Sequence, residues 1–374
     1  MMMMMISDLP NDLESEILAR VPAKSLSQLK TTCKRWYTLF KDPKFVEKNK
    51  KMSSEAARES MLLSNHEVYS IAGDLHSSGD VSQPLEFAGK LSKDLDLYTI
   101  SHCDGLMLCQ AKNNSSLVVW NPCTGETKMI KPRTRYQIRD RFSLGYDDSR
   151  RGYKILRYGY YQNEEKVWFV ECEMYELSSD SWRFLESFAP DYGMYCSGVS
   201  LRGDTYFAAG GKEMGFFLMK FDFTEERFVR LPLPFQSFDP EDTAVLSVVR
   251  DEKLSVCHQD ILAWSNVMRI WVTNKVDEEG KVLSWRKDFV LTVDFDKFQL
   301  PCVVNVASFL LDEEKKVAMC CDVCDEEMKG EEKNRIYIVG EDMYKQVYND
   351  DIVNASLLNC PLVLTYVPSL VHIH

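Results

Sequence analysis

The sequence predicts two unlike parts: a small all-α segment over residues 1–50 and, beyond a linker at 51–60, an all-β repeat domain over residues 61–374. Three observations predict this division. Before residue 50 the apolar residues recur at helical spacing, after residue 60 the apolar runs become short and alternating, and an aromatic residue closes a strand-like run about every 50 residues.

Composition bounds the possibilities. The 374 residues are 45% hydrophobic and 11% aromatic, enough for one large or two ordinary folded domains. Ser7, Asp8 and Asn11 follow the five N-terminal methionines, so no secretory leader is expected, and no run approaches the roughly 18 apolar residues of a membrane span. Twelve cysteines are scattered from Cys33 to Cys360 without dense spacing. Free thiols in a reducing compartment, cytoplasmic or nuclear, are the expectation, and the sequons at Asn113, Asn114 and Asn354 then carry no glycan. Residues 24–51 hold nine Lys or Arg against Asp42 and Glu47, a balance of +7, so the rest of the chain carries −19 of the overall −12. The basic residues are interleaved with apolar helix positions beside an acidic remainder, which reads as a solvated face and not as a nucleic-acid site.

In chain order, Asp8 is expected to cap a first helix carrying Pro10 in its first turn, with Leu13, Ile17, Leu18 and Val21 on its apolar side and Pro22 ending it. Ser25 and Gln28 read as a capping box for a second helix bearing Leu26, Leu29 and Cys33, and Trp36, Leu39 and Phe40 mark a third. Asp42-Pro43 reads as a turn. Three such short helices cannot bury that much apolar surface by themselves. One outcome is that the surplus meets another protein; the other is that the helices dock as a cap on the following domain.

The stretch LPNDLESEILARVPAKSLSQLKTTCKRWYTLFKDPKFVEKN resembles an F-box as plant proteins carry it, in Leu9-Pro10, Asp12-Leu13, Glu16-Ile17-Leu18, Arg20-Val21-Pro22, Lys24-Ser25-Leu26, Leu29, Cys33-Lys34 and Trp36. The resemblance implies a surface for a Skp-type adaptor formed by Leu9, Pro10, Leu13, Ile17, Leu18, Val21, Pro22, Leu26, Leu29, Cys33 and Trp36. Through the adaptor it implies cullin and RING subunits of a ubiquitin ligase.

Beyond residue 60, strand-like runs end at Trp120, Tyr175, Phe221, Trp271 and Tyr337, spaced by 55, 46, 50 and 66 residues. A second aromatic follows seven residues later at Trp182, Phe228 and Tyr344; Thr127 takes that place after Trp120, and a longer turn precedes Trp285. Another run lies 14 to 21 residues before each anchor, at Leu106–Cys109, Lys154–Arg157, Thr205–Ala208, Leu254–Cys257 and Val317–Cys320. Each unit thus reads as an inner run, an anchored strand and an outer strand. Repeats of this length predict a kelch-like β-propeller, with a two-sheet sandwich as the other architecture. The leftover ends, MLLSNHEVYSIA and LLNCPLVLTYVPSLV, are both strand-like, and pairing them would close a ring of about six blades.

CDGLMLC, LVVWNPCTGETKMI, LGYDDSRRGYKILRY, YELSSDSWRFL and YVPSLV resemble the type 1 F-box associated domain of plant F-box proteins, itself related to kelch repeats. The resemblance implies the substrate-recognition subunit of a Skp-cullin-F-box ubiquitin ligase, recruiting an unknown protein substrate for degradation, with catalysis left to its partners. An F-box scaffold acting outside degradation, or a propeller enzyme, are the alternatives.

No cofactor, metal or catalytic constellation is expected. Cys321-Asp-Val-Cys324, beside Cys320, lacks a second pair or histidine to complete a zinc site and reads as free thiols at a strand end. His372-Ile-His374 lies at the end of the sequence without a further ligand. His66, His76, His102 and His258 have no nucleophile or metal motif beside them, Gly210-Gly211 lacks the G-K-S/T of a phosphate loop, and Glu164-Glu165 and Glu313-Glu314 sit in hydrophilic turns.

Overall fold

Four helices open the chain: α1 (Asn11–Leu18), α2 (Ala23–Leu29), α3 (Lys34–Leu39) and α4 (Pro43–Ser53). The computed structural model describes residues 9–53, 58–64, 66–72, 86–90, 97–111, 116–134, 140–194, 198–211, 213–239, 242–260, 266–274, 283–300, 304–326, 331–349 and 361–373. The fourth helix corrects the sequence reading of Asp42-Pro43 as a simple turn. Pro43 opens α4, where its missing N–H is not needed, and the Lys44 amide donates to Asp42 Oδ1 at 2.8 Å. The Ser25–Gln28 capping box does not form either. Pro22 flanks α2 three residues earlier than the expected cap, its carbonyl accepting from the Ser25 and Leu26 amides, so Ser25 lies inside the first turn. Cys33 is the extended N-cap of α3 instead of a member of α2, Pro10 flanks α1 from outside, and Asp8 lies outside the described residues.

The strands form six antiparallel sheets. Blade 1 comprises β1 (Glu59–Ser64), β2 (Glu67–Ala72), β3 (Glu86–Lys90) and the last strand, β25 (Leu362–Tyr366). Blade 2 runs β4 (Leu97–Cys103), β5 (Leu106–Ala111), β6 (Leu117–Trp120), β7 (Thr127–Ile130), and blade 3 runs β8 (Arg141–Asp147), β9 (Gly152–Gln162), β10 (Trp168–Glu176), β11 (Ser181–Phe188). Blade 4 splits its first strand into β12 (Gly193–Met194) and β13 (Val199–Leu201), both paired to β14 (Asp204–Gly211), followed by β15 (Gly215–Asp222) and β16 (Arg227–Leu231). Blade 5 is β17 (Thr243–Val249), β18 (Lys253–Gln259), β19 (Val267–Val272), β20 (Leu291–Asp294), and blade 6 is β21 (Ser308–Asp312), β22 (Val317–Glu326), β23 (Glu331–Gly340), β24 (Met343–Asn349).

Strands β25, β4, β8, β13, β17 and β21 adjoin one another in that cyclic order and form the inner ring. Six apolar clusters each join two neighbouring blades; that between blades 3 and 4, for example, packs Tyr158, Cys172 and Met174 against Phe207, Met219 and Phe221. A two-layer sandwich would have one core between its sheets, so this arrangement is the six-blade propeller. Its ring closes as expected from the leftover ends: β1 pairs antiparallel with β25 from Glu59↔Tyr366 to Leu63↔Leu362, and no exposed sheet edge remains at that join.

The five anchors all lie on third strands. Tyr175, Phe221, Trp271 and Tyr337 are buried, while Trp120 is only half-buried, because Thr127 stands opposite it where Trp182 and Phe228 stand opposite Tyr175 and Phe221. Tyr344 faces Val339 but still meets Tyr337, with ring centroids 5.3 Å apart. The five "inner runs" are a further correction: each is the second strand of its blade, and the true inner strand precedes it across a short turn. Two of these turns, Asp104-Gly105 and Arg202-Gly203, have two residues, all at positive φ, the conformation that matches the strand twist in a tight hairpin.

Candidate functional site

The helical unit is built around Leu18, Ala19, Ala23, Leu26, Phe40 and Phe45, and the seventh buried member of that core is Leu370, from the chain that leaves β25. Leu18 and Leu26 therefore belong to the interior, where sequence reasoning placed them at an adaptor surface. Leu13 and Ile17, one helical turn apart, project from α1 with 54% and 45% of their surface exposed. Pro10 and Cys33 are exposed as well, and Leu9, Val21, Pro22, Leu29 and Trp36 are half-buried. Trp36 is held by its Nε1–H, which donates to Glu14 Oε1 at 2.8 Å, and Arg35 pairs with the same buried carboxylate. The two readings of the helices thus divide by residue: some leucines are internal core and others are uncovered.

Most of the basic residues of this unit are engaged. Lys24 pairs with Glu59 at 2.6 Å and Lys50 with Asp104 at 2.7 Å, both acids on the propeller, and Lys30 donates to the Thr124 carbonyl at 3.0 Å. Exposed pairs contribute only about 0–1 kcal/mol each, so the tighter connection is the C-terminal segment. Asn121 is fully buried, and its Nδ2 donates to the carbonyls of Ser369 at 3.0 Å and Val371 at 2.7 Å. Its Oδ1 accepts from the Cys123 and Thr124 amides and shapes the turn of the NPCTG stretch. Glu126 accepts from the Ile373 amide at 3.1 Å and lies 2.6 Å from His372 Nδ1. Burial opposes ionisation there, yet these two groups hold the Glu126 carboxyl below its ordinary pKa. Gly105 lets the segment pass: a Cβ at that position would lie 2.2 Å from the Ser369 Cβ.

Helix α4 roofs a cleft of about 1770 Å³ against the turns of this propeller end, lined by Lys50, Arg58, His102, Asp104, Arg202 and Asp251 among others. Arg58 Nη2 donates to the Arg250 carbonyl at 2.9 Å, which places the segment entering blade 1 against blade 5. His102 Nε2 accepts from the Gly105 amide at 2.9 Å; burial pushes its pKa down, against the pull of Asp251 and Asp104. The remaining polar candidates serve packing. Asp147 takes amides from Ser149 and Arg150 and the Lys154 ammonium at 2.5 Å, and although burial resists it, these bonds hold its pKa down at about 2.

Cys320 and Cys321 are adjacent on β22 and so face opposite sides, Cys320 between blades 5 and 6 and Cys321 between blades 6 and 1. They lie well inside that strand, not at its end, and the side chain of Cys324 is outside the described set. His372 is taken by Glu126, and His76, His374, Asn113, Asn114 and Asn354 lie outside the described residues. Among the described residues no three His, Cys, Asp or Glu side chains converge as metal ligands, and no helix is long and apolar enough to cross a membrane. Sequence reasoning missed Asn121, Glu126 and Leu370. The Asn-Pro pair in NPCTG was a legible turn signal, but nothing local links it to a segment some 250 residues later.

Residues 6–48 match the F-box domain, and residues 59–373 match the F-box associated beta propeller domain. A putative F-box/kelch-repeat protein of Arabidopsis thaliana is 56% identical over 382 residues, covering 99% of this chain and 94% of its own length. An F-box/kelch-repeat protein of the same plant is 53% identical over 381 residues, covering 99% of this chain and 96% of its own, and another putative one is 45% identical over 389 residues, covering 98% and 97%. With its helical unit, its six blades and these matches over nearly its whole length, the chain belongs to the plant F-box proteins that carry an F-box associated β-propeller domain.

Proposed function

We propose that this chain is the substrate-recognition subunit of a Skp-cullin-F-box ubiquitin ligase, acting in the cytoplasm or nucleus. The observation that carries the reading is the exposed pair Leu13 and Ile17 on α1, in an F-box whose other large apolar residues are mostly covered. Exposed apolar side chains held on a rigid helix suit a protein contact. The adaptor surface comprises Leu9, Pro10, Leu13, Ile17 and Cys33, with Val21, Pro22, Leu29 and Trp36 at its half-buried margin and Leu18 and Leu26 supporting it from inside. The adaptor links the chain to the cullin and RING subunits, which supply the catalysis. The receptor contributes by holding a target lysine near the conjugating enzyme at high effective concentration. The domain division that goes with this reading is F-box to residue 50, linker 51–60 and substrate-binding propeller 61–374, with α4 running on to Ser53 and β1 opening already at Glu59 inside the linker bounds.

Calorimetry with a purified Skp-type adaptor tests the contact. Leu13→Asp with Ile17→Asp buries two carboxylates in the interface and is expected to weaken binding at least tenfold, about 1.4 kcal/mol or more. Unchanged affinity overturns the assignment. A pull-down probed for cullin then separates a ligase receptor from a scaffold that meets only the adaptor.

A further inference from the structure

The strand order fixes which propeller end is left to a target. The turns between first and second strands and between third and fourth strands lie at the F-box end: Asp104 pairs with Lys50 and Thr124 accepts from Lys30, while Arg250 meets Arg58 just before β1 and Asn121 holds the C-terminal segment that enters the F-box core. The turns between second and third strands, and the connections from one blade to the next, therefore lie at the opposite end. At that end the tops of blades 3 and 4 hold several partly exposed apolar side chains. Trp168, 43% exposed, sits two residues from the buried Val170 on the same side of β10, the side packed toward blade 4. Val167 and Met214 come from the turns before β10 and β15 and are exposed, as is Phe238, at 60%, whose ring reaches the Gly215 backbone.

Met214 adjoins a preformed stack. The Arg230 guanidinium lies 5.1 Å from the ring centroids of both Tyr192 and Phe217, donates to Met214 Sδ, and pairs with Asp191 at 2.6 Å. The rim is acidic: Glu164, Glu165, Asp191 and Glu213 are exposed around the patch, with Asp239 half-buried beside Phe238. Among the described residues, Lys166 and Arg230 stand against them, the latter already paired to Asp191.

We infer that the exposed apolar patch on blades 3 and 4, at the end away from the F-box, docks a basic segment of the target protein that carries apolar or aromatic anchors between its lysines or arginines. The inference rests on the receptor reading above and adds the chemistry of the target. Charge decides the occupant. A second copy of this chain would bring the same acids against themselves, and an anionic membrane or nucleic acid would be repelled by them. The apolar anchors supply affinity in the desolvated centre, and the acidic rim steers approach and selects sign.

The test uses the full chain co-purified with the Skp-type adaptor. The probe is a fluorescein-labelled nonapeptide with Lys and Arg at both ends and Leu, Phe and Trp at its centre. Two control peptides carry the same centre between glutamates, or the same basic ends around Gly and Ser. The basic apolar peptide is expected to bind at least tenfold more tightly than either control, and less tightly as salt rises. Trp168→Ser with Phe238→Ser is expected to weaken it about tenfold or more. Glu164→Lys, Glu165→Lys and Glu213→Lys together, a surface change that leaves the core alone, is expected to weaken it and remove the salt dependence. Equal binding of the acidic peptide, or affinity indifferent to both variants, overturns the inference. So does a dimer on light scattering that the Trp168/Phe238 variant dissociates, which would give the patch to a second copy. Adaptor retention is measured on the same samples. No peptide binding with adaptor retained sinks this docking patch and leaves the receptor reading standing, whereas peptide binding by a chain that never retains the adaptor supports the patch and sinks that reading.

Discussion

Replacing Asn121 by Asp probes the connection between the F-box and the propeller without disturbing much else. The carboxylate keeps the acceptor that the Cys123 and Thr124 amides use in the turn, but it loses the Nδ2 donor and sets a second oxygen against the Ser369 and Val371 carbonyls. Each buried acceptor left unpaired costs about 1–3 kcal/mol, so the C-terminal segment should loosen by about 2–6 kcal/mol. Leu370→Ala reaches the same joint from the other side. Leu370 is buried among Leu18, Leu26, Phe40 and Phe45, and a Leu→Ala change in such a site costs about 2–5 kcal/mol. At about 1.4 kcal/mol per factor of ten, either change should raise local opening by about 30-fold or more. Hydrogen exchange read by mass spectrometry is the assay. Amides of α2 and of residues 367–373 should lose protection by that factor, while those of β18 and β22, in blades 5 and 6, should hold theirs. Unchanged protection in α2 would refute the claim that the C-terminal segment completes the F-box core. An equal loss in β18 and β22 would refute the claim that the joint is local.

Phe221→Ala and Tyr337→Ala, each removing a fully buried third-strand ring, should cost about 3–5 kcal/mol in urea unfolding, and Trp120→Ala clearly less, since Trp120 is half-buried; equal costs would undo the distinction. Burial pushes the His102 and His258 imidazoles below their ordinary value of 6.5, opposed by Asp251 at the first and Asp242 at the second. Both are therefore favoured neutral in the fold, so their contribution is present above pH 6.5 and is lost as pH falls below it. Thermal unfolding should drop between pH 7.5 and 5.5, and His102→Gln with His258→Gln should flatten that slope; a slope unchanged by both would refute it. Expressed alone, the chain exposes Leu13 and Ile17, and co-expression with a Skp-type adaptor should raise its monodisperse yield. Equal behaviour with and without adaptor would argue that the pair needs no cover.

Much of this architecture was legible because it is local. The spacing from Leu9-Pro10 to Trp36 and the aromatic anchors from Trp120 to Tyr337 are short-range patterns, and they were enough to place the F-box, the repeats and the closing strands. The inner strands were not. A run such as LYTISHC in β4 is joined to LMLCQA in β5 by only Asp104-Gly105, so it reads as the margin of its neighbour, and its place in the ring is set by contact with strands of other blades. In blade 4 the inner strand is broken into β12 and β13, which leaves no continuous run to find. Leu18, Leu26, Leu13 and Ile17 all match the F-box pattern, yet only the folded core separates the two that are covered from the two that are not. The adaptor list of the sequence reading joined these groups because helical period gives a face and not what lies against it.

In the proposed receptor the F-box holds the ligase while the propeller holds the target. The most direct measurement is a cycloheximide chase of a protein captured by the chain under proteasome block, in cells expressing either the wild-type chain or Leu13→Asp with Ile17→Asp. The wild type is expected to shorten the half-life of that protein, whereas the variant should still bind it and lengthen the half-life by shielding it. Equal shortening by both forms would contradict the account, because degradation would then not pass through the exposed face of the F-box.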